Sequence, residues 1–261
     1  MKLSIAIATY NEEKNLPSCL EAVGDWVDEI VVVDGESTDK TSKIAKKYGA
    51  RVIKTTNKPI FHINKQMAID ACRGEWVLQL DADEIVDQDL KEEILAVVKQ
   101  GNEFDAFAIR RKNFFLGRWL SKGGQYPDAV IRFFKKGKAY LPCRSVHEQM
   151  EVPSGKISQF SGHLLHYPYP DFAEYLVKFN RYTELTAQKH LADSGIKPTL
   201  WRYFLIELKA IKEFLSRYLR HKGFYDGFPG LIFALFSALH YPVAFIKYWE
   251  KKHGKKRKKN K

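Results

Sequence analysis

Three clusters of polar residues in the first hundred positions have the types and spacing to do chemistry, and each stands where an apolar run stops. Asp81-Ala82-Asp83 closes WVLQLDADE, Thr9-Tyr10-Asn11-Glu12 closes LSIAIATYNE, and Asp34-Gly35 closes EIVVVDG. In an extended segment residues i and i+2 face the same way, so Asp81 and Asp83 are expected to converge while Ala82 keeps the backbone close. Two carboxylates so placed suit a hard divalent cation, Mg²⁺ or Mn²⁺, which leaves its other positions to phosphate oxygens and water. The chemistry indicated is the handling of a diphosphate. A calcium loop is excluded, because Val86 stands where the sixth position of such a loop needs glycine. Asn11, Ser37 and Thr38 also read as helix N-caps and Gly35 as a turn glycine. Those roles are compatible with anion contact, since a helix N-terminus favours negative charge.

Short apolar runs and amphipathic runs alternate around these clusters. LSIAIAT, EIVVVDG, RVIKT and WVLQLDAD read as strands; the stretch ending at Leu20, TDKTSKIAKKYG, residues 62 to 73 and DLKEEILAVVKQG read as helices. The alternation predicts an α/β fold with a mostly parallel sheet flanked by helices. In such sheets ligands sit beyond the carboxyl ends of the strands, so the three clusters are expected to share one crevice. The chain has neither a G-x-G-x-x-G nor a G-x-x-x-x-G-K-[ST] string, which disfavours a dinucleotide-binding domain and a P-loop.

LSIAIATYNEEKNL, EIVVVDGESTDKT and GEWVLQLDADE resemble, in order and spacing over residues 3 to 84, the nucleotide-binding segments of family 2 glycosyltransferases. The resemblance implies the Rossmann-like GT-A fold, a nucleoside-diphosphate sugar donor such as a UDP-hexose, and inversion at the anomeric carbon. It implies further that Thr9, Tyr10, Asn11 and Glu12 line the nucleoside pocket and that Asp34 and Gly35 meet the base. Asp81, with Ala82, is then placed at the ribose or a metal-bound water, Asp83 on the metal, and Lys65 toward the donor, although Lys65 also reads as a solvated helix lysine. A sugar nucleotidyltransferase is disfavoured, because TYNEEKN replaces its glycine-rich, arginine-containing first loop.

From Phe104 to Pro168 aromatic and β-branched strands are expected to form the acceptor side. An inverting transfer needs a base for the acceptor hydroxyl proton. The candidates are Asp128 in GGQYPDAVIRFF and His147 with Glu148 in SVHEQMEV, with Glu148 favoured as the residue expected at a strand end; a surface ion pair is the alternative for both carboxylates. The V-H-E string, Y-P-D with Arg132, and HLLHYPYPDFAEYLVKFNRYTELTA resemble the subgroup containing lipopolysaccharide inner-core glucosyltransferases. On that resemblance His166 completes the metal shell or touches the diphosphate, and Lys178 with Arg181 neutralises the leaving UDP. A structural histidine is the alternative for His166. The Q-x-x-R-W string of processive synthases is missing, which favours transfer of a single sugar.

The reading divides the chain into a catalytic domain over 1–168, a helical membrane-associating extension over 169–250 and a basic tail over 251–261. Three scattered cysteines fit a reducing cytosol, and the first apolar run is too short for a signal peptide. The tail KKHGKKRKKNK carries eight Lys or Arg and no acid, and residues 227 to 246 carry no Asp, Glu, Lys or Arg. Basic residues on both sides of that apolar run argue against a single crossing. An interfacial or re-entrant anchor is expected at the cytoplasmic face of the inner (plasma) membrane, with 200 to 222 as its amphipathic partner. The partners expected are a UDP-sugar, a lipid-linked glycan and an anionic membrane surface; nucleic acid is disfavoured. A polyprenyl-phosphate or protein acceptor, and a non-catalytic adaptor on the same fold, are the alternatives.

Overall fold

A computed structural model describes residues 1–144, 148–192 and 197–257; His147 lies outside them. The chain forms two units, Met1–Lys112 with Pro127–His166, and Asn113–Tyr126 with Tyr167–Lys261.

In the first unit β1 (Leu3–Thr9), α1 (Leu16–Glu21), β2 (Glu29–Asp34), α2 (Thr41–Lys47), β3 (Arg51–Lys54), α3 (His62–Ala71) and β4 (Trp76–Leu80) follow one another as the pattern predicts. β5 (Glu84–Val86), α4 (Gln88–Gln100) and β6 (Ala106–Phe115) come next, and the end of β6 pairs with β7 (Arg118–Trp119) in the second unit. β8 (Asp128–Lys135) and β9 (Ile157–His166) complete the sheet, whose order is β3-β2-β1-β4-β8-β6-β9-β5. β1, β2, β3 and β4 are parallel, while β8 runs antiparallel to β4. The central strands are apolar on both faces, as expected of a parallel sheet covered by helices, and Trp76 stacks on Phe133 at 4.7 Å between ring centroids.

The register sets the site. Thr9 lies opposite Asp34, and Ile7 opposite Leu80, so the carboxyl ends of β1, β2 and β4 come out on one edge. β4 stops at Leu80, and the Glu84 amide donates to the Asp81 carbonyl at 3.0 Å, closing a tight turn into β5. Asp81 and Asp83 therefore stand in a turn rather than on an extended strand, where the period-two argument does not apply.

The second unit is helical: α5 (Phe172–Ala192), α6 (Leu200–Leu215), a π-helical turn over Ser216–Arg220, a 3-10 turn over Gly223–Asp226 and α7 (Gly227–Arg257). The segment 113–126, read from sequence with the catalytic domain, belongs here. Buried Asp226 holds it, accepting from the Ser121 amide and hydroxyl at 3.1 and 2.9 Å and from the Lys122 amide at 2.9 Å. Gly230 is required where it stands, since a Cβ there would fall 2.1 Å from the Gly223 carbonyl oxygen.

Candidate active site

At the ends of β1 and β2 two loops are laced together. Asn11, at φ 55°, accepts through Oδ1 from the Thr38 amide at 2.8 Å, while its own amide donates to Ser37 Oγ at 2.9 Å. The Glu12 amide donates to Thr41 Oγ1 at 2.8 Å, and Asp34 Oδ1 accepts from Ser37 Oγ at 2.5 Å. The capping roles read from sequence are therefore not used. Asn15 and Lys40 precede α1 and α2, and Asn11, Ser37 and Thr38 cross-link two strand ends instead. Gly35 sits so tightly that a Cβ would lie 3.2 Å from the Cα of Asn57 and 3.1 Å from Asn64 Nδ2. Thr9 Oγ1 and Asn64 Oδ1 are buried with no hydrogen-bond partner among the described residues. Buried polar atoms are normally paired, so unpaired ones beside this loop suit a polar ligand. Tyr10 is 45% exposed at the same edge, an aromatic face offered to solvent.

At the end of β4 lies a chain of alternating charges. Asp81 Oδ1 meets Lys65 Nζ at 2.5 Å, and its Oδ2 meets Arg132 Nη2 at 2.6 Å. Arg132 also bonds Gln79 and reaches Glu84 at 2.9 Å; Glu84 lies 3.5 Å from Arg111, and Arg111 holds Asp128 at 2.8 Å. Three acids thus interleave with three bases. Burial alone would push the Asp81 carboxyl up, but Arg132 and Lys65 outweigh it and hold the group well below the usual carboxylate range. The converse holds for Arg132, where burial opposes the charge and Asp81 and Glu84 more than restore it. Lys65 is thus a buried ion-pair partner, with only 12% of its side chain exposed, rather than a solvated lysine.

Asp83 stands apart from that chain. Among the described residues its carboxylate meets only His166, at 3.6 Å from Nε2, with His166 on the last position of β9 opposite Glu84. Of the three residues read as metal ligands, the structure therefore brings together Asp83 and His166 and turns both oxygens of Asp81 to cations and Gln79. No group of three or more His, Cys, Asp or Glu is positioned for a metal among the described residues. One carboxylate and one imidazole are two donors, and a divalent cation held by them would take its remaining positions from substrate phosphates and water.

A cavity of about 220 Å³ opens beside the charge chain, lined by Lys65, Asp81, Arg111, Arg132, Glu148 and Met150 among others. Glu148 is in irregular backbone rather than at a strand end, and it accepts from the Arg144 amide at 2.8 Å. Asp128, at the start of β8, is instead clasped by Arg111 through Nε and Nη2. Arg181 is exposed on α5 in the second unit and Lys178 there donates to the Pro168 carbonyl at 2.7 Å, so neither is among the residues gathered at the strand ends of the first unit. Sequence reading missed Gln79, Glu84 and Arg111 as site residues, and took Arg132 only as a mark of resemblance. The available signal was a polar residue breaking an apolar run, Gln79 in WVLQL and Arg132 in AVIRFF, because a buried polar side chain needs a partner.

The family model "Glycosyl transferase family 2" matches residues 4–179, and the chain belongs to that family. The lipopolysaccharide core biosynthesis glycosyltransferase LpsC of Rhizobium meliloti is 27% identical over 266 residues, spanning 100% of this chain and 96% of that relative. An uncharacterized glycosyltransferase of Rickettsia typhi, RT0209, is 30% identical over 249 residues, spanning 91% of this chain and 83% of its own. Among solved structures, S. aureus TarS 1-349 in complex with UDP-GlcNAc shares the fold with a TM-score of 0.50 at 18% identity, covering 97% of this chain and 92% of that one. The protein is a family 2 glycosyltransferase with the Rossmann-like GT-A architecture.

Proposed function

We propose that the protein transfers a single hexose from a UDP-sugar to a lipid-borne glycan such as a lipopolysaccharide core, at the cytoplasmic face of the membrane and with inversion. The observation that carries this reading is the placement of Asp83 with His166, clear of the charge chain, on the same unit as a sugar-sized cavity bearing Glu148. LpsC supports a core-type acceptor by its relationship to this chain. The TarS complex supports a uridine-nucleotide donor on this fold.

In this mechanism the loops of Asn11, Asp34 and Gly35 hold the nucleoside, and their cross-links keep the pocket shaped before donor arrives. Asp81, fixed by Lys65 and Arg132, orients the ribose and turns Lys65 toward the diphosphate. A divalent cation held by Asp83 and His166 would supply charge neutralisation for the leaving group. Glu148 takes the proton of the acceptor hydroxyl as its oxygen bonds to the anomeric carbon and the bond from that carbon to the diphosphate oxygen breaks. UDP leaves and the anomeric configuration inverts.

Glu148 is preferred to Asp128 as base because Asp128 is occupied by Arg111, whereas Glu148 lines the cavity and, among the described residues, accepts from the Arg144 amide. Glu148→Gln is expected to retain donor affinity and lose roughly a hundredfold or more in kcat, the usual scale of general-base catalysis. If Asp128→Asn produces that split and Glu148→Gln does not, the two assignments exchange.

A further inference from the structure

The one helical stretch among the described residues that is long and apolar enough to cross a membrane, Gly223–Gly254, runs from the 3-10 turn through most of α7, but its inner face is committed elsewhere. Phe245 and Tyr248 are buried with Ala187 of α5 and pack against Tyr203 and Ile206 of α6. Lys247 donates to the Asn180 carbonyl at 2.7 Å and to Thr183 Oγ1 at 2.7 Å. A helix tied by a lysine and two aromatic side chains into a bundle is not free to leave it and span.

The unpartnered apolar surface lies on the outside. On α6, Leu200 is 89% exposed, Trp201 68%, Phe204 51%, Leu208 47%, Ile211 55% and Leu215 45%. From the adjacent Leu200 and Trp201 onward, spacings of three and four draw one stripe, about 24 Å long at 1.5 Å per residue. α7 adds a second stripe, Phe228, Leu235, Leu239, Ile246 and Trp249, all exposed and spaced by seven, four, seven and three. The two stripes meet where Leu200 borders one apolar groove with Ile246 and Trp249. Soluble monomers seldom expose apolar surface on this scale.

We infer that this joint outer face of α6 and α7 is a lipid-docking surface on which the helices lie in the plane of an anionic bilayer. The inference rests on the reading that the acceptor is lipid-borne, and it names the face through which the enzyme reaches it. Charge selects lipid as the occupant. Arg202 and Lys212 lie along one edge of the α6 stripe, Arg220 and Lys222 close its end, and the sequence beyond residue 250 is strongly basic. Long cationic side chains beside an apolar stripe keep their stems on it and their charges at anionic headgroups. A second copy of the chain docked there would set its own cations against these. Two tryptophans, Trp201 and Trp249, suit the headgroup boundary.

The test is sedimentation of the full chain with vesicles of phosphatidylcholine containing about a quarter phosphatidylglycerol, for wild type and for Leu208→Glu/Ile211→Glu. Both positions are exposed, so the variant should keep its melting temperature and its hydrolysis of UDP-sugar. Wild type should bind and be partly released by high salt, with the variant binding at least about tenfold more weakly, since two apolar side chains lose their burial in lipid. Equal binding by both would overturn the inference, as would a wild-type chain that ignores vesicles and dimerises through this face. A chain that binds vesicles through these residues yet cleaves no nucleotide sugar would overturn the enzymatic reading and leave the docking face standing.

Discussion

Asp83→Ala is expected to yield a folded protein that has lost sugar transfer by roughly 10²–10³-fold or more, because the cation site proposed to offset charge on the departing diphosphate would lose its carboxylate. The fold should survive, since among the described residues Asp83 meets only His166 and takes no part in the buried charge chain. Its urea midpoint should match wild type within the roughly 0.5 kcal/mol scatter of harmless surface changes. Turnover in the variant at the wild-type rate, independent of added metal, would remove Asp83 from the site.

Arg132→Met should do the opposite, and strike stability first. Arg132 compensates Glu84, whose side chain is 0% exposed, and Asp81, while bonding Gln79. Removing one member of a buried ion-pair network leaves uncompensated charge at a cost of about 3–5 kcal/mol. Arg132→Lys should recover little, since a single ammonium cannot reproduce the guanidinium fork. The pH dependence follows with its sign. The folded pKa of Asp81 is depressed, so its contribution is present above the unfolded value of about 3.9 and disappears as pH falls below that value toward the folded one. Arg132→Met should flatten that acid limb. An unchanged urea midpoint would mean that the network does not hold the strand ends together.

The sheet was legible because β1, β2 and β4 are mostly apolar runs and the helices between them are amphipathic, and a parallel order then puts three polar strand ends on one edge. What stayed hidden were contacts that depend on distant register. β8 inserts beside β4 from fifty residues downstream and brings Arg132 to Asp81, a pairing no local pattern encodes. The aspartates of Asp81-Ala82-Asp83 take different partners, in a turn that begins where the strand ends at Leu80, and a period-two reading holds only while the chain stays extended. The 113–126 segment goes to the helical unit through buried Asp226, over a hundred residues away. The amphipathic character of residues 200 to 222 was plain in the sequence, but which of its faces is uncovered is decided by the packing of α7.

Donor cleavage is read most directly as UDP release from UDP-glucose and other UDP-hexoses by the purified full chain, with Mn²⁺, with Mg²⁺ and after chelation. Release is expected with at least one UDP-hexose, with dependence on the divalent cation, restoration when cation is returned, and loss in Asp83→Ala. No release and no binding of any UDP-sugar in the presence of metal, or equal release after chelation, would contradict it.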